Sequence, residues 1–221
     1  MRSAVGAANY HRCGMAFRDF GFPEVQQALG LSLSETNLFG DIPALDLPGE
    51  FVQRIRGDVA MALAINTEKA RSEFIIAPVL SELRRLLGGR FGLFSGVEFD
   101  VDSSRGLNGF CDFILTRSSL QSVLTAPVVA IAEAKNDNLR TGLGQCIAAM
   151  VAAWEFNARS SAGVSVVHGV VTTGSAWKFL RLSGADVTLD IREYFITELG
   201  PIMGILAHIL AVGGEQPSLP Q

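Results

Sequence analysis

The stretch that most constrains this chain is VVAIAEAK, residues 128–135. A run of β-branched and small apolar residues of that length reads as a central strand buried on both faces. It ends in a carboxylate and an amine, Glu133 and Lys135, two residues apart. Residues i and i+2 of a strand point to the same face, so two opposite charges leave one side of a buried strand. They form either a structural ion pair, worth little where it is exposed, or a reactive site. The tripeptide alone leaves both open.

The rest of the chain supplies that strand with neighbours. Upstream, NTEKARSEFIIAPVLSELRRLLGG has helical spacing: Asn66 or Thr67 can cap its start, Gly88 and Gly89 can end it, and Phe74, Ala77, Leu80, Leu83 and Leu87 lie near one stripe. Pro78 sits inside it and should bend it. RFGLFSGVEFDVD and FCDFILTR follow as strands joined by the Gly-rich turn SSRGLNG, and a polar loop leads to the third strand, which predicts an antiparallel meander. GLGQCIAAMVAAWEFN is a helix with small residues on one side, suited to close packing on a sheet. GVSVVHGVVTTG, AWKFLRL and VTLDI read as further strands before a last helix over 197–212. This order predicts an α/β fold, a mixed β-sheet flanked by helices. Residues 1–65, partly helical in FPEVQQALGL and FVQRIRGDVAMALAI, read as an N-terminal extension to a domain spanning 66–221. The character of the chain changes at Met15, so the first fourteen residues read as a mis-called start or a frayed arm.

Composition narrows the function. At 221 residues, with 48% apolar and 18% charged, the chain can bury a core without disulfide or metal staples. A net charge of −4 argues against bulk electrostatic capture of nucleic acid, while leaving room for a locally basic groove. Cys13, Cys111 and Cys146 are odd in number and far apart, and they fit no metal or disulfide spacing; they read as reduced thiols of a cytoplasmic protein, two of them buried. LGPIMGILAHILAVGG is apolar but too short and interrupted for a spanning helix, so no membrane partner is expected.

Four polar residues stand where such a chain normally places apolar ones. Asp112 lies between Cys111 and Phe113, with Phe110 and Ile114 its expected neighbours on one face; Glu133 and Lys135 end the next strand; Gln145 sits in the first turn of the small-residue helix. If the two strands are adjacent, Asp112 approaches Glu133 across the pair. Two carboxylates brought together repel, so the site needs a shared proton or cation. A few oxygen ligands with room for water suit Mg²⁺ or Mn²⁺ rather than Zn²⁺. An amine beside a metal-held water can orient or deprotonate it, and lysine suits that task because its pKa can move, whereas arginine stays protonated. The chain holds 15 arginines and only three lysines, Lys69, Lys135 and Lys178, so a lysine ending the most buried strand is informative.

GFCDFILT, followed about 20 residues later by VVAIAEAK, resembles the core of the PD-(D/E)XK nuclease superfamily, the restriction-endonuclease-like fold. In that family an Asp on one strand of a meander precedes a Glu-x-Lys that ends the next. TEKARSEFIIAP, GLNGFCDF, EAK, GLGQC and VTTGSAWKFLRL further resemble a group of cyanobacterial-type proteins assigned to the superfamily. The likeness covers residues 66–182 and departs from the pattern where Cys111 stands for the nominal Pro before the Asp. It implies an αβββαβ core. It also implies Asp112, Glu133 and the carbonyl of Ala134 as metal ligands, with Glu73 on a second metal or a metal-bound water. Lys135 would position or activate the attacking water, and Gln145 would bond Lys135 or a substrate phosphate. The implied reaction is hydrolysis of a phosphodiester with Mg²⁺ or Mn²⁺, most naturally of DNA. Cutting a duplex on both strands takes two active sites, so a homodimer fits such a substrate.

Each residue also has a plainer reading. Glu73 shares its helix with Glu68 and Glu82, so a solvated face explains it; Gln145 can satisfy a helix start. His168 reads as a packed histidine and Trp177 as a core residue, with Lys178 beside it. Arg84, Arg85 and Arg90 suit a helix C-terminus. Two other functions therefore stand beside the nuclease: a non-catalytic binding module of the same fold, and a metal-dependent phosphohydrolase of small molecules.

Overall fold

The computed structural model describes residues 14–211. Cys13, and with it nearly all of the expected N-terminal arm, lies outside them, as does residue 212. A short helix, Val25–Leu29 (α1), leads to Ser32–Thr36 (β1), and Gly49–Ile65 forms α2. The next helical stretch runs through Glu68–Arg71 (α3), a π-turn over Ser72–Ile76, and Ala77–Leu86 (α4). Gly92–Glu98 (β2), Phe110–Thr116 (β3) and Val128–Ala134 (β4) precede Arg140–Arg159 (α5). The strands Val167–Thr172 (β5), Ala176–Ser183 (β6), Asp186–Asp190 (β7) and Tyr194–Phe195 (β8) then lead to Leu199–Ala211 (α6).

All eight strands join one mixed sheet, ordered β1-β7-β6-β5-β4-β3-β2, with β8 on β6. β2, β3 and β4 are antiparallel neighbours, as the turn signals predict, and β5 returns parallel to β4. β4 is buried at every position. Alternating residues feed two cores. Phe113 and Phe179 join Phe51, Ile55, Ile75, Leu83 and Ile202 beneath α2, α4 and α6. Ile114 and Leu180 join Phe17, Phe20, Cys146, Ile147 and Met150 beneath α5 and the N-terminal segment. Among the described residues no helix is long and apolar enough to cross a membrane.

Residues 14–65 are built into this body rather than appended to it. β1 pairs parallel with β7, Phe17 and Val25 fill the core under α5, and α2 fills the other core. The chain locally follows its capping signals. The Thr67 hydroxyl accepts from the Ala70 amide at 3.1 Å, and Asn66 takes the left-handed conformation that ends α2. Pro78 produces a π-turn rather than a simple bend: Ala77 N–H donates to Ser72 O, five residues back. The proline has no N–H to continue the α-pattern, and its ring crowds the carbonyl four residues earlier.

Candidate functional site

The site opens at the C-terminal end of β4, where strands and helices each contribute one polar group. Gly96 faces Asp112 across the β2–β3 pair and has φ +62°, which interrupts the regular pairing between Ser95↔Phe113 and Val97↔Cys111. Strict alternation would put Phe110, Asp112 and Ile114 on one face. Instead Cys111 and Ile114, three residues apart, both enter the core under α5. The left-handed glycine changes the pleat locally. The Asp112 side chain turns along the sheet, and its Oδ2 accepts from the Ala134 N–H at 2.7 Å.

Glu133 sits between Ala132 and Ala134 and is 2% exposed. The Lys135 amine donates to Glu133 Oε1 at 2.6 Å and more loosely to Gln145 Oε1 at 3.4 Å. Lys135 keeps its own N–H on Thr172 O at 2.8 Å, so the strand pairing carries one residue past β4 and fixes where the amine starts. Its aliphatic stem runs against Gly142 of α5. A methyl group there would lie 2.7 Å from Val171 Cγ1 and 3.0 Å from Lys135 Cγ, so only glycine lets the helix come this close. The small-residue face of α5 thereby delivers Gln145 to the amine.

The electrostatics follow from burial. Loss of water, and then the charge of Asp112, push the Glu133 carboxyl up to about 8, against the pull of Lys135. Burial works to lower the Lys135 amine, but the attraction of Glu133 outweighs it and leaves the pKa raised, so the amine stays charged. Glu68 acts on both groups as well. Glu68, at the exposed start of α3, is the helical carboxylate whose charge adds to both. Glu73 pairs with Lys69 at 2.6 Å, and its side chain is 51% exposed. Burial first, then the nearby carboxylates, pushes the Cys111 and Cys146 thiols up, which keeps both neutral and unreactive.

Arg71 is the functional-region residue that sequence reasoning passed over. It is 7% exposed, and its guanidinium links three elements. Nη1 donates to Thr173 O at 3.0 Å and to Ser175 Oγ at 3.4 Å, Nη2 donates to Asn66 Oδ1 at 3.0 Å, and Asp137 lies 3.9 Å away. It thus ties the helix carrying Glu68 to the loop after Lys135 and to the β5–β6 turn. The one signal for it was its place three residues after Glu68, on the same helix face. Beside this turn a cleft of about 480 Å³ is lined by Asp137, Arg140, Ser175 and Lys178.

The plainer readings hold elsewhere. Trp177 is fully buried and donates to Gly174 O at 2.9 Å. Arg84 and Arg90 donate to carbonyls at the end of α4, and Arg85 pairs with Glu82. Among the described residues no group of three or more His, Cys, Asp or Glu side chains is placed to hold a metal ion. What the site offers a cation is two carboxylates and the adjoining backbone. No family model, curated protein or solved structure matches the chain.

Proposed function

We propose that the chain is a Mg²⁺- or Mn²⁺-dependent hydrolase of phosphodiester bonds, a nuclease with DNA as its substrate. The observation that carries this reading is the junction of Asp112, Glu133 and Lys135, with the Glu133 carboxyl raised by burial and then by the charge of Asp112, and an amine bonded to it. The succession of α3–α4, the β2–β3–β4 meander, α5 and a β5 parallel to β4 supports a restriction-endonuclease-like core.

Asp112, Glu133 and the Ala134 carbonyl are all oxygen donors, which fits a hard divalent cation. Burial and then the charge of Asp112 raise Glu133, and a cation between the two carboxylates supplies the charge that both effects call for, so the residues fit the group. Bound there, the metal would polarise a phosphoryl oxygen and make a water more acidic. The rest falls to the chain. Lys135 is held charged, so it orients the attacking water and stabilises negative charge on the phosphoryl group, rather than serving as a base. Gln145 fixes the amine's direction. Glu68, in place of Glu73, supplies the helical acid, and Arg71 holds that helix against the loop after Lys135. For a duplex substrate two copies of the site would act together in a homodimer.

The test is calorimetric titration of Mg²⁺ and Mn²⁺ into the wild type and Asp112→Ala/Glu133→Ala, with and without a short DNA duplex. Strand cleavage is assayed in parallel. Metal binding and cleavage that the double substitution abolishes support the proposal. Equal binding by both proteins sinks it and makes the pair structural. Turnover of small phosphate esters without DNA cleavage replaces the substrate.

A further inference from the structure

At the end of the sheet remote from Asp112, the molecule gathers positive charge around a buried imidazole. His168 is 6% exposed, and its Nδ1 has no hydrogen-bond partner. Arg181 is its cross-strand partner on β6 and shares its face, since Leu180 and Leu182 both turn to the core under α5. Arg117 follows the end of β3, and its Nε is likewise shielded and without a partner. Phe39 also packs on His208 of α6: its ring lies 5.9 Å from the His168 ring and 6.4 Å from that of His208. None of these four side chains is ion-paired with a carboxylate among the described residues.

We propose that Arg117, Arg181 and His168, with His208 at the rim, form a binding site for a phosphate group. Two guanidinium forks and an imidazole offer more donors than the two oxygens of one carboxylate can accept, whereas a phosphate presents acceptors in several directions. The His168 imidazole already bonds the Val129 backbone, so the free Nδ1 donates to the phosphate once the bound anion lets the ring take up a proton there. Burial, and then the charges of His208, Arg181 and Arg117, hold its pKa down to about 4. An anion is the missing counter-charge for that cluster. Phe39, buried against both histidine rings, borders the site. His208 also borders a cavity of about 300 Å³ that Asp46 lines, so the two arginines and His168 are the core of the site. This site is separate from the Asp112–Glu133 pair: His168 lies on the opposite face and opposite end of the sheet, and the proposal stands whether or not that pair is catalytic.

The experiment titrates inorganic phosphate and adenosine 5′-monophosphate into the full chain. EDTA is present, so that no divalent ion bridges phosphate to the carboxylates, and chloride holds the ionic strength constant. Saturable binding is expected for the wild type and for Arg56→Ala, a charge-loss control on α2. Arg117→Ala/Arg181→Ala should weaken binding by about ten-fold or more. Should that double variant fail to fold, Arg181→Ala alone serves, because Arg181 is exposed. In ¹⁵N NMR, the His168 Nδ1 resonance should move with phosphate in the wild type and stay fixed in the variant. Binding of phosphate alone marks a free-ion site, and tighter binding of the monophosphate marks an ester. No saturable binding of either probe, or equal binding by wild type and variant, overturns the proposal.

Discussion

The two ends of this sheet handle a buried charge in opposite ways. Glu133 pairs in register with Val171 and His168 with Ala130, so the two rows are three residues, or about 10 Å, apart along the same two strands. Burial drives both side chains towards neutrality, the carboxyl up to about 8 and the imidazole down to about 4. At Glu133 the chain supplies its own counter-charge, Lys135, and the carboxylate can be recovered. At His168 every charged neighbour has the sign the imidazole would take, so its proton is refused. Burial sets the direction in both places. The neighbours decide whether charge can return, and that is the difference on which the proposed metal site and the proposed phosphate site rest.

The harshest way to break the contrast is to remove the counter-charge at the first end. Lys135→Met leaves Glu133 beside Asp112 with no cation on it. If the proposed activity is present, metal-dependent cleavage should fall by about 10²–10³-fold, the usual effect of losing one preorganised charged donor. Single-turnover cleavage under saturating metal measures it, and unchanged turnover would remove Lys135 from the reaction. Next in size is Arg71→Met, which deletes the guanidinium joining Asn66, Asp137 and the β5–β6 turn. Urea unfolding should show a loss of about 3 kcal/mol, because buried partners are left unsatisfied.

The pH dependence of stability sharpens the comparison without touching activity. The folded state keeps the Glu133 proton, which the unfolded chain releases above its ordinary pKa near 4.5. Stability is therefore lost as pH rises from about 4.5 to about 8. The folded state refuses the His168 proton, which the unfolded chain takes up near 6.5, so stability is lost as pH falls from about 6.5 to about 4. Each limb spans up to a few kcal/mol. Between about pH 4.5 and 6.5 the two contributions oppose each other, so melting temperatures of the wild type should be nearly flat there, those of Glu133→Gln should rise with pH, and those of His168→Gln should fall. A single substitution that flattened both limbs would mean that the two ends do not act independently.

Legibility from sequence differed in the same local way. β4 announced itself because a strand buried on both faces leaves an unbroken apolar run, and the meander followed from its Gly-rich and polar turns. Lys135 and Gln145 came together as expected because the small face of α5 lies directly on β4 and β5. The β1–β7 pairing was not legible, since it joins Ser32 to Asp186 across the length of the chain with no local signal. The turn of Asp112 was hidden because it depends on the φ of Gly96 on the neighbouring strand. Arg71 was missed because an arginine on a helix ordinarily reads as solvated, and only the arrival of two distant segments, the loop with Asp137 and the β5–β6 turn, buries it.

The smallest effect distinguishes the two acids of the first helix. Glu68 and Glu73 are five residues apart, which turns them about 140° from each other on an ideal helix, an angle that the wider π-turn beginning at Ser72 narrows. Glu68 acts electrostatically on Glu133 and Lys135, while Glu73 holds an exposed pair with Lys69. Glu73→Ala should therefore change stability by no more than about 0.5 kcal/mol and leave metal affinity untouched. Glu68→Gln should remove a charge that opposes ionisation of Glu133. The alkaline limb of the stability profile should then begin its fall at the same pH, set by the unfolded chain, and level off earlier as the folded pKa drops. Thermal melts and metal titrations of the two variants side by side make the assignment. A response to Glu73→Ala with none to Glu68→Gln would return the helical acid to Glu73 and require the helix to rotate when the site is filled.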